Sequence, residues 1–477
     1  MHTYLVWIIA YSALLIGLGA VLARKVRKAG DFLVAGRRLG PGLIFSTLLA
    51  ANIGAGTTVG AASLGYRFGW SAWWWVGSAG IGCLILANSV AARLWTIAEA
   101  NDFHTLGDYL EKRYNRSVRG LISAILTIGS LGLLAAQLIA LSMVFQIIVG
   151  VPHWFGAVLG GIVMIAYFTA GGLFSSARIN LIELVVLLAG FSLAVPFSVQ
   201  GSGGWPQIAA KVGSHLGADR AAEFFSPVGI GLSGILYYFA LLAPSFIVSP
   251  GLIQKVYGAR SAGAARAGVN LNSLALLLFA ALPPAIGIIA AANFPSLADP
   301  QFAMYRVITD LLPKWLTLLG LAAIFSAEVS TCDAVLFMLS TSITVDLYKS
   351  FIKPDASDRV LLRVSRLASL AAGILGVIIA IRIPSIISVL TVFYSLVSVA
   401  LFVPVVVGLY WPRPDARAAL AAITLSVPCT LALQIWTGGR ILVFLNPFVI
   451  GMGVSLAALC LVTVFTGKRN YFDLFSA

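Results

Sequence analysis

The feature that most constrains this chain is its long succession of apolar runs, separated by short polar segments. An α-helix needs about 20 apolar residues to cross the hydrocarbon core of a bilayer, and most of the runs reach that length. Only 10% of the 477 residues are charged, compared with about 25% in soluble globular domains. The chain is therefore predicted to be an all-α integral membrane protein without a sizeable soluble domain.

The apolar runs and the polar segments between them together predict about 13 transmembrane helices. The predicted spans are 3–23, 41–66, 70–95, 118–149, 153–170, 178–199, 230–250, 266–292, 314–345, 364–382, 384–410, 417–436 and 441–465. Two short helices are expected between spans, at 105–114 and 206–216.

The distribution of Lys and Arg predicts the orientation of these spans. With the N-terminus outside, 24 of the 31 basic residues fall in the inner segments, as the positive-inside rule requires. The net charge of +14 is thus an orientation signal, and no nucleic-acid partner is expected. The first span is preceded by no Lys or Arg and is predicted to be retained. We expect a multi-pass protein of the cell (inner) membrane with a cytoplasmic C-terminus.

Two predicted spans contain residues that interrupt helices. Gly54, Gly56 and Gly60 lie in the second span, and Pro244 and Pro250 lie in the seventh. Glycine and proline both disfavour a helix interior. Interrupted helices at corresponding positions of two halves indicate a transporter binding site, where unwound backbone frees carbonyl oxygens. For the glycines alone, close helix packing is the alternative.

The ninth span carries a polar helix face. Ala327, Ser330, Thr331 and Ala334 follow an i, i+3, i+4, i+7 pattern, so they share one side of a helix. Adjacent hydroxyls offer neutral oxygen ligands to a small hard cation. Hydrogen bonding of each hydroxyl to its own backbone is the alternative.

Three acidic residues are expected at bilayer depth. Glu328 and Asp333 lie in the ninth span and Glu183 in the sixth. Such residues usually face a pathway or a partner, which makes them candidate coupling or ion-pathway acids. A buried carboxyl group that is hydrogen-bonded for packing remains the alternative for each.

Several segments resemble the sodium:solute symporter family, which includes transporters of proline, pantothenate, choline, galactose and sialic acid. The resemblance covers nearly the whole chain. The segments are LLAANIGAGTTVGAASLGYRFGW, TAGGLFSSARINLIELVVLLAG, SPGLIQKVYGARS, AAIFSAEVSTCDAVLFMLSTSITVDLYK and GLYWPRPDARAALAAI.

The resemblance implies a LeuT-type fold, a five-plus-five inverted repeat with one extra N-terminal and two extra C-terminal helices. The implied divisions are an N-terminal helix and inner loop at 1–40, a first repeat at 41–200, an outer loop at 201–229, a second repeat at 230–410, and two C-terminal helices with a short tail at 411–477.

The resemblance also implies a sodium site. By motif, its ligands would be the carbonyls of Ala50, Ile53 and Ala327 and the hydroxyls of Ser330 and Thr331. Na⁺ is therefore the expected coupling ion.

The chain departs from the family pattern at three positions. Members with a second sodium site often have Asp where this chain has Asn180, and Ala327 carries no hydroxyl one turn before Ser330. One sodium site is therefore expected rather than two. Glu328 stands where many members have a small residue, and it leaves the coupling ion open between sodium and a proton.

The solute is expected between the interrupted helices, but its identity is not readable. The alternative role of Trp73 is in the aromatic belt at the membrane interface. The alternative role of Gln137 is to hold neighbouring helices together by hydrogen bonds. No cluster of Lys or Arg is expected at cavity level, which disfavours a strongly anionic solute. The candidate solute-binding residues are Asn52, Thr57, Trp73, Gln137, Phe246 and Tyr394.

The sequence thus predicts a sodium-coupled secondary active symporter that imports a small polar solute by alternating access. Its expected partners are the solute and membrane lipid, with no obligate protein partner. A proton-coupled or mixed symporter using Glu328 is one alternative. A solute sensor of the same fold is another, disfavoured because the sequence ends soon after the last span. No nucleophile–base pair or metal cluster indicates an enzyme.

Overall fold

A computed structural model of the chain describes residues 35–169, 173–437 and 446–466, with five isolated positions between 6 and 17. The predicted first span, 3–23, therefore lies largely outside the described residues. Every regular element within the described ranges is a helix, and one isolated β-bridge joins Leu39 to Ala259.

The described α-helices are α1 (Pro41–Asn52), α2 (Ala61–Phe68), α3 (Trp73–Ile85), α4 (Ala91–Ala100), α5 (Leu106–Arg113), α6 (Arg116–Val149), α7 (His153–Thr169), α8 (Leu173–Gly201), α9 (Trp205–Leu216), α10 (Ala218–Phe225), α11 (Gly231–Val248), α12 (Pro250–Tyr257), α13 (Ala262–Phe279), α14 (Leu282–Asn293), α15 (Ala303–Asp310), α16 (Lys314–Thr341), α17 (Asp358–Arg382), α18 (Ile386–Tyr410), α19 (Ala416–Thr437) and α20 (Pro447–Thr466). Shorter 3₁₀ and π segments are Ala35–Arg37, Gly56–Gly60, Gly69–Ala72, Leu86–Val90, Pro300–Phe302 and Ser342–Ile352.

Ten helical stretches in the described ranges are long and apolar enough to cross a membrane. Two shorter apolar helices, Pro41–Asn52 and His153–Ile165, accompany them. The all-helical architecture is thus confirmed, whereas the count of thirteen spans stays a prediction. Both short helices expected between spans are present, as α5 and α9.

The long helix α16 occupies the centre of the bundle. In the stretch Lys314–Ile352, 89% of the most apolar 18-residue segment is buried inside the protein, compared with 28% for the same kind of segment in Pro447–Thr466. The central helix packs against α1, α6 and α8, whereas α19 and α20 pack on each other and on α18. The two C-terminal helices therefore form a peripheral layer outside the region where the interrupted helices meet.

Helix α5 is fixed at both ends. At its start, the Thr105 hydroxyl accepts from the Asp108 amide, and the Asp108 carboxylate accepts from the Thr105 amide, which forms a capping box. At its end, Arg113 donates to the carbonyl oxygens of Gly408 (2.8 Å) and Trp411 (2.9 Å). The last carbonyls of a helix lack intrahelical partners, so this arginine satisfies the end of α18 while holding α5 against it.

Candidate functional site

A central cavity lies where α1, α6, α11, α12, α16 and α18 meet. Apolar walls with a few placed polar groups are typical of small-molecule sites. The polar side chains that line it are Asn52, Thr57, Gln137, Ser245, Ser249, Lys255, Thr331 and Tyr394.

The first helix interruption lies beside this cavity. Helix α1 ends at Asn52, and helical structure resumes with the π turn that begins at Gly56. Between them, Ile53 adopts extended backbone angles (φ −100°, ψ 93°). The Gly54 carbonyl accepts a hydrogen bond of 2.8 Å from the Thr58 hydroxyl, which satisfies part of the freed backbone. The predicted break in the second span is therefore confirmed.

Gln137 on α6 braces this break from the opposite side. Its Oε1 accepts from the Ala55 amide at 2.8 Å, and its Nε2 donates to the Leu133 carbonyl at 3.3 Å. The space around the unwound residues is tight, since a Cβ on Gly54 would lie 2.5 Å from Thr331 Oγ1 and 2.6 Å from Gln137 Oε1. Glycine is required here by close approach of neighbouring side chains.

The second interruption lies between α11 and α12. Helix α11 ends at Val248, Ser249 has non-helical angles (φ −55°, ψ 120°), and α12 begins at Pro250. Proline lacks an N–H and is well suited to the first position of a helix. Pro244 lies inside α11 without ending it. The predicted break in the seventh span is thus confirmed, and only the second proline marks it.

The structure brings all five residues of the predicted sodium site together. The Ser330 hydroxyl lies 3.0 Å from the Ala50 carbonyl oxygen and 3.2 Å from that of Ala327. The Thr331 hydroxyl lies 3.2 Å from the carbonyl oxygens of both Ala50 and Ile53. Three carbonyls and two hydroxyls therefore converge where the end of α1 meets the middle of α16.

This oxygen cluster is neutral, because none of its five ligating groups carries a formal charge. Oxygen ligands suit hard cations, whereas transition metals favour imidazole and thiolate. Within the described ranges, no group of three or more His, Cys, Asp or Glu side chains has the arrangement of a metal site. The cluster is thus suited to a hard cation and not to a transition metal.

Five of the six predicted solute-binding residues line the central cavity. The sixth, Trp73, does not: it packs edge-to-face on Trp74 with ring centroids 5.3 Å apart. Trp75 points the other way, because two residues correspond to about 200° around a helix. Its Nε1 donates to the Gly56 carbonyl at 2.9 Å, directly behind the cavity wall. A role for Trp73 in solute binding therefore stays a prediction, and Trp75 is the tryptophan that lies against the helix break. The five are Asn52, Thr57, Gln137, Phe246 and Tyr394.

The three predicted acids are buried in separate surroundings. Glu328 is fully buried, and its Oε1 lies 3.0 Å from the Thr58 hydroxyl oxygen. Glu183, also fully buried, lies on α8, and Asp333 acts on it electrostatically. Glu328 is therefore the acid that contacts the broken helix directly. Asn180, the position expected to disfavour a second sodium site, is buried on α8.

Lys255 is a cavity residue that the sequence reasoning missed. Its side chain is 3% exposed and lines the central cavity, and its Nζ donates to the Thr47 carbonyl at 2.6 Å. Asp333 is the carboxylate that acts on it electrostatically. A signal for this depth was available, because α12 restarts at Pro250 and Lys255 follows about 8 Å further along that helix.

The chain resembles known transporter sequences over most of its length. The profile of the Sodium:solute symporter family matches residues 32–425. The chain is 25% identical over 466 residues to a sodium/glucose cotransporter of Vibrio parahaemolyticus, covering 89% of this chain and 83% of that protein. It is 25% identical to the sodium/pantothenate symporter of Escherichia coli, covering 87% of each. A high-affinity proline transporter of Bacillus subtilis is 24% identical, covering 94% and 95%.

Solved structures share the fold. A Na⁺-coupled sialic acid symporter in a substrate-bound outward-open state superimposes with a TM-score of 0.81 and 17% identity, covering 98% of both chains. A nucleobase-cation-symport-1 family transporter in a closed conformation gives a TM-score of 0.58 at 15% identity, covering 93% of this chain and 96% of the other. With the family profile matching most of its length, the chain belongs to the sodium:solute symporter family.

Proposed function

We propose that this protein is a sodium-coupled secondary active symporter that imports a small polar solute by alternating access. The observation that carries the proposal is the convergence of the carbonyls of Ala50, Ile53 and Ala327 with the hydroxyls of Ser330 and Thr331. Unwound backbone at membrane depth is tolerated where it lines a cavity or binds an ion. Membership in a family of sodium symporters supports Na⁺ as the coupling ion.

Ion and solute would be coupled through a shared residue. Thr331 belongs to the oxygen cluster and also lines the central cavity. An ion held by Thr331 and by the carbonyl of Ile53 would fix the distance between α16 and the break in α1. The same break presents Asn52 and Thr57 to the cavity, so ion binding would order the groups that contact the solute.

The membrane potential supplies the driving force in this scheme. Moving one positive charge inward with the potential gains about 2.3 kcal/mol per 100 mV. Each 1.4 kcal/mol corresponds to a tenfold change in an equilibrium constant, so one ion supports roughly 50-fold accumulation of a neutral solute per 100 mV.

The proposed architecture has two inverted repeats, 41–200 and 230–410, with the N-terminus outside and the C-terminus in the cytoplasm. The segments 1–40, 201–229 and 411–477 lie outside these repeats. The two helix interruptions support this division, because one falls in each repeat and both border the central cavity.

Uptake into proteoliposomes tests the proposal. Amino acids, sugars, carboxylates and choline-like amines are each offered with an inward sodium gradient, and then with potassium chloride in place of sodium chloride. We expect sodium-dependent uptake of one class, abolished in Ser330→Ala/Thr331→Ala and retained in Ser369→Ala, whose lost hydroxyl bonds only to its own helix. Sodium-independent uptake that survives the double substitution would contradict the sodium assignment. Binding without uptake would favour the sensor.

A specific observation favours a second candidate, in which a proton contributes to coupling. The Thr58 hydroxyl lies 2.8 Å from the Gly54 carbonyl oxygen and 3.0 Å from Glu328 Oε1. A hydroxyl has a single hydrogen. If Thr58 donates to Gly54, its contact with Glu328 is a hydrogen bond only when the Glu328 carboxyl is protonated. A protonated carboxyl at the helix break is the arrangement that proton coupling requires.

A further inference from the structure

A polar strip is exposed on the outside of the bundle, in the π segment between α3 and α4. It consists of Asn88 and Ser89, which follow the exposed Leu84 and Ile85 along the same helical stretch. This stretch, Gly56–Ala100, is long and apolar enough to cross a membrane. Hydrocarbon offers no hydrogen-bonding partner to an exposed amide or hydroxyl, so the strip is expected to lie near the lipid headgroups.

Asn88 connects the polar strip to α13. Its Oδ1 accepts from Arg266 Nε at 3.2 Å and from Arg266 Nη2 at 3.0 Å, and its Nδ2 donates to Asn270 Oδ1 at 2.9 Å. The guanidinium group of Arg266 is therefore held in one direction, although its side chain is exposed. Its Nη1 forms no hydrogen bond with any described residue, so it keeps donors for a further partner.

Arg93 is held beside the same strip by Tyr410, the last residue of α18. The guanidinium carbon lies 4.3 Å from the centroid of the Tyr410 ring, and the Tyr410 hydroxyl donates to the Ser89 carbonyl. An arginine stacked on an aromatic ring still presents its donors to an anion. Among the described residues, no carboxylate lies within ion-pair distance of Arg93 or Arg266. The strip is thus flanked by two uncompensated positive charges.

An exposed apolar surface continues from this positive end along α13. Leu271, Leu274 and Leu278 are 48%, 59% and 69% exposed. Because a helix rises 1.5 Å per residue, they extend to about 18 Å from Arg266, which is close to the roughly 15 Å depth of the hydrocarbon in one leaflet. Arg93 and Arg266 are among the basic residues that the proposed orientation places at the inner face. The surface therefore has the polarity of a phospholipid, with positive charge where the phosphate lies.

We propose that this surface is a binding site for an anionic phospholipid whose headgroup phosphate accepts hydrogen bonds from Arg93 and Arg266. Guanidinium groups suit phosphate because they donate in a planar fork. The acyl chains lie along the exposed leucines of α13, which a free phosphate would leave uncovered. Some lipid covers this surface in any case, and the two arginines add the preference for a negatively charged headgroup. The inference does not depend on the solute or on the coupling ion.

Thermal unfolding in detergent tests the preference with two lipids that share their acyl chains. Delipidated protein in dodecyl maltoside receives dioleoylphosphatidylglycerol or dioleoylphosphatidylcholine at increasing mole fraction. We expect phosphatidylglycerol to raise the unfolding temperature at a lower mole fraction than phosphatidylcholine does. In Arg93→Gln/Arg266→Gln, the half-saturating fraction of phosphatidylglycerol should rise roughly tenfold, since each arginine near the membrane surface adds attraction to anionic lipid.

Arg363→Gln/Arg366→Gln is the matched control. Both arginines are exposed near the start of α17, at the same membrane face in the proposed orientation. This variant loses the same net charge but leaves the polar strip intact, so its preference for phosphatidylglycerol should persist. Asn88→Ala keeps every charge but frees Arg266, and it should weaken phosphatidylglycerol binding by a smaller factor. Unfolding temperatures without added lipid show whether each variant is folded.

Three results would overturn the lipid site. The first is an equal response of the unmodified protein to both lipids. The second is a preference that Arg93→Gln/Arg266→Gln leaves unchanged, or one that the control variant loses equally, which would assign it to general surface charge. The third is stabilisation by glycerol 3-phosphate as strong as that by phosphatidylglycerol, which would identify a soluble phosphate as the ligand. If the double variant does not fold, unchanged phosphatidylglycerol binding by Asn88→Ala overturns the site.

Discussion

The hydroxyl oxygen of Thr331 lies 3.2 Å from the carbonyl oxygen of Ile53, although 278 residues separate the two in the sequence. The same hydroxyl lies 3.2 Å from the Ala50 carbonyl oxygen. One side chain of α16 therefore spans the unwound end of α1, and any change in its chemistry acts on the ion and on the cavity together.

Replacement of Thr331 by valine removes this hydroxyl while keeping the shape of the side chain. We expect the half-saturating sodium concentration for uptake to rise at least tenfold, which corresponds to about 1.4 kcal/mol. Thr331→Ser keeps the oxygen and should restore most of the sodium affinity. Sodium titration of uptake in proteoliposomes measures both. An unchanged sodium dependence in Thr331→Val would remove this residue from the ion site.

Gly54→Ala should disrupt the helix break by crowding. The added Cβ would lie 2.5 Å from Thr331 Oγ1 and 2.6 Å from Gln137 Oε1, and overpacking typically costs about 1–3 kcal/mol. We expect a lower thermal unfolding temperature in detergent and loss of sodium-dependent uptake. Gly453→Ala, at a site where an added Cβ meets no atom within 4 Å, is the matched control and should behave as the unmodified protein does.

Substitutions of Gln137 test whether its hydrogen bond with the Ala55 amide stabilises the helix break. Gln137→Leu leaves the Ala55 amide without its acceptor, and an unsatisfied buried donor costs about 1–3 kcal/mol. Gln137→Glu keeps that acceptor, and its carboxyl group is expected to be protonated because an ionised carboxylate is costly at this depth. We expect a lower unfolding temperature for the leucine variant alone, measured without solute. Equal unfolding temperatures for the two variants would show that the bond to Ala55 does not hold the break.

Removing the charge of Lys255 should expose its dependence on Asp333. If the two charges compensate each other, deleting one leaves the other buried and uncompensated, which costs about 3–5 kcal/mol. We expect Lys255→Met to lower the unfolding temperature strongly. The double variant Lys255→Met/Asp333→Asn should recover most of the loss. If the two substitutions act additively in this double-mutant cycle, the two charges do not form a pair.

Glu328→Gln tests the contribution of a proton. The amide can still donate to the Thr58 hydroxyl but cannot release a proton. If the proton takes part in coupling, a pH gradient alone should drive uptake in the unmodified protein and fail to do so in Glu328→Gln. Sodium-dependent, pH-insensitive uptake by both proteins would leave sodium as the sole coupling ion.

The sequence anticipates features that depend on local chemistry. Glycines near Gly54 and a proline at Pro250 mark where helices end, because they act through the backbone wherever they lie. Helical spacing likewise predicts that Ser330 and Thr331 share one helix face. It does not predict their contact with α1, which only the family resemblance implies.

Features that depend on which side of a helix faces inward could not be predicted. Trp73 and Trp75 are chemically identical, and only packing against neighbouring helices decides which one reaches Gly56. The burial of Lys255 at the depth of the cavity could not be predicted for a related reason. Counting basic residues assigns them to loops, whereas the restart of α12 carries this lysine back to the cavity.

The attachment of Arg113 to the end of α18 has a mechanical consequence. The N-terminal half of the same helix carries Tyr394, which lines the central cavity. A displacement of α5 alone would leave the buried Gly408 carbonyl without this donor, so α5 and α18 are expected to move together as one rigid body. Spin labels on these two helices should keep a constant separation in every state of the transport cycle, while both move relative to α16.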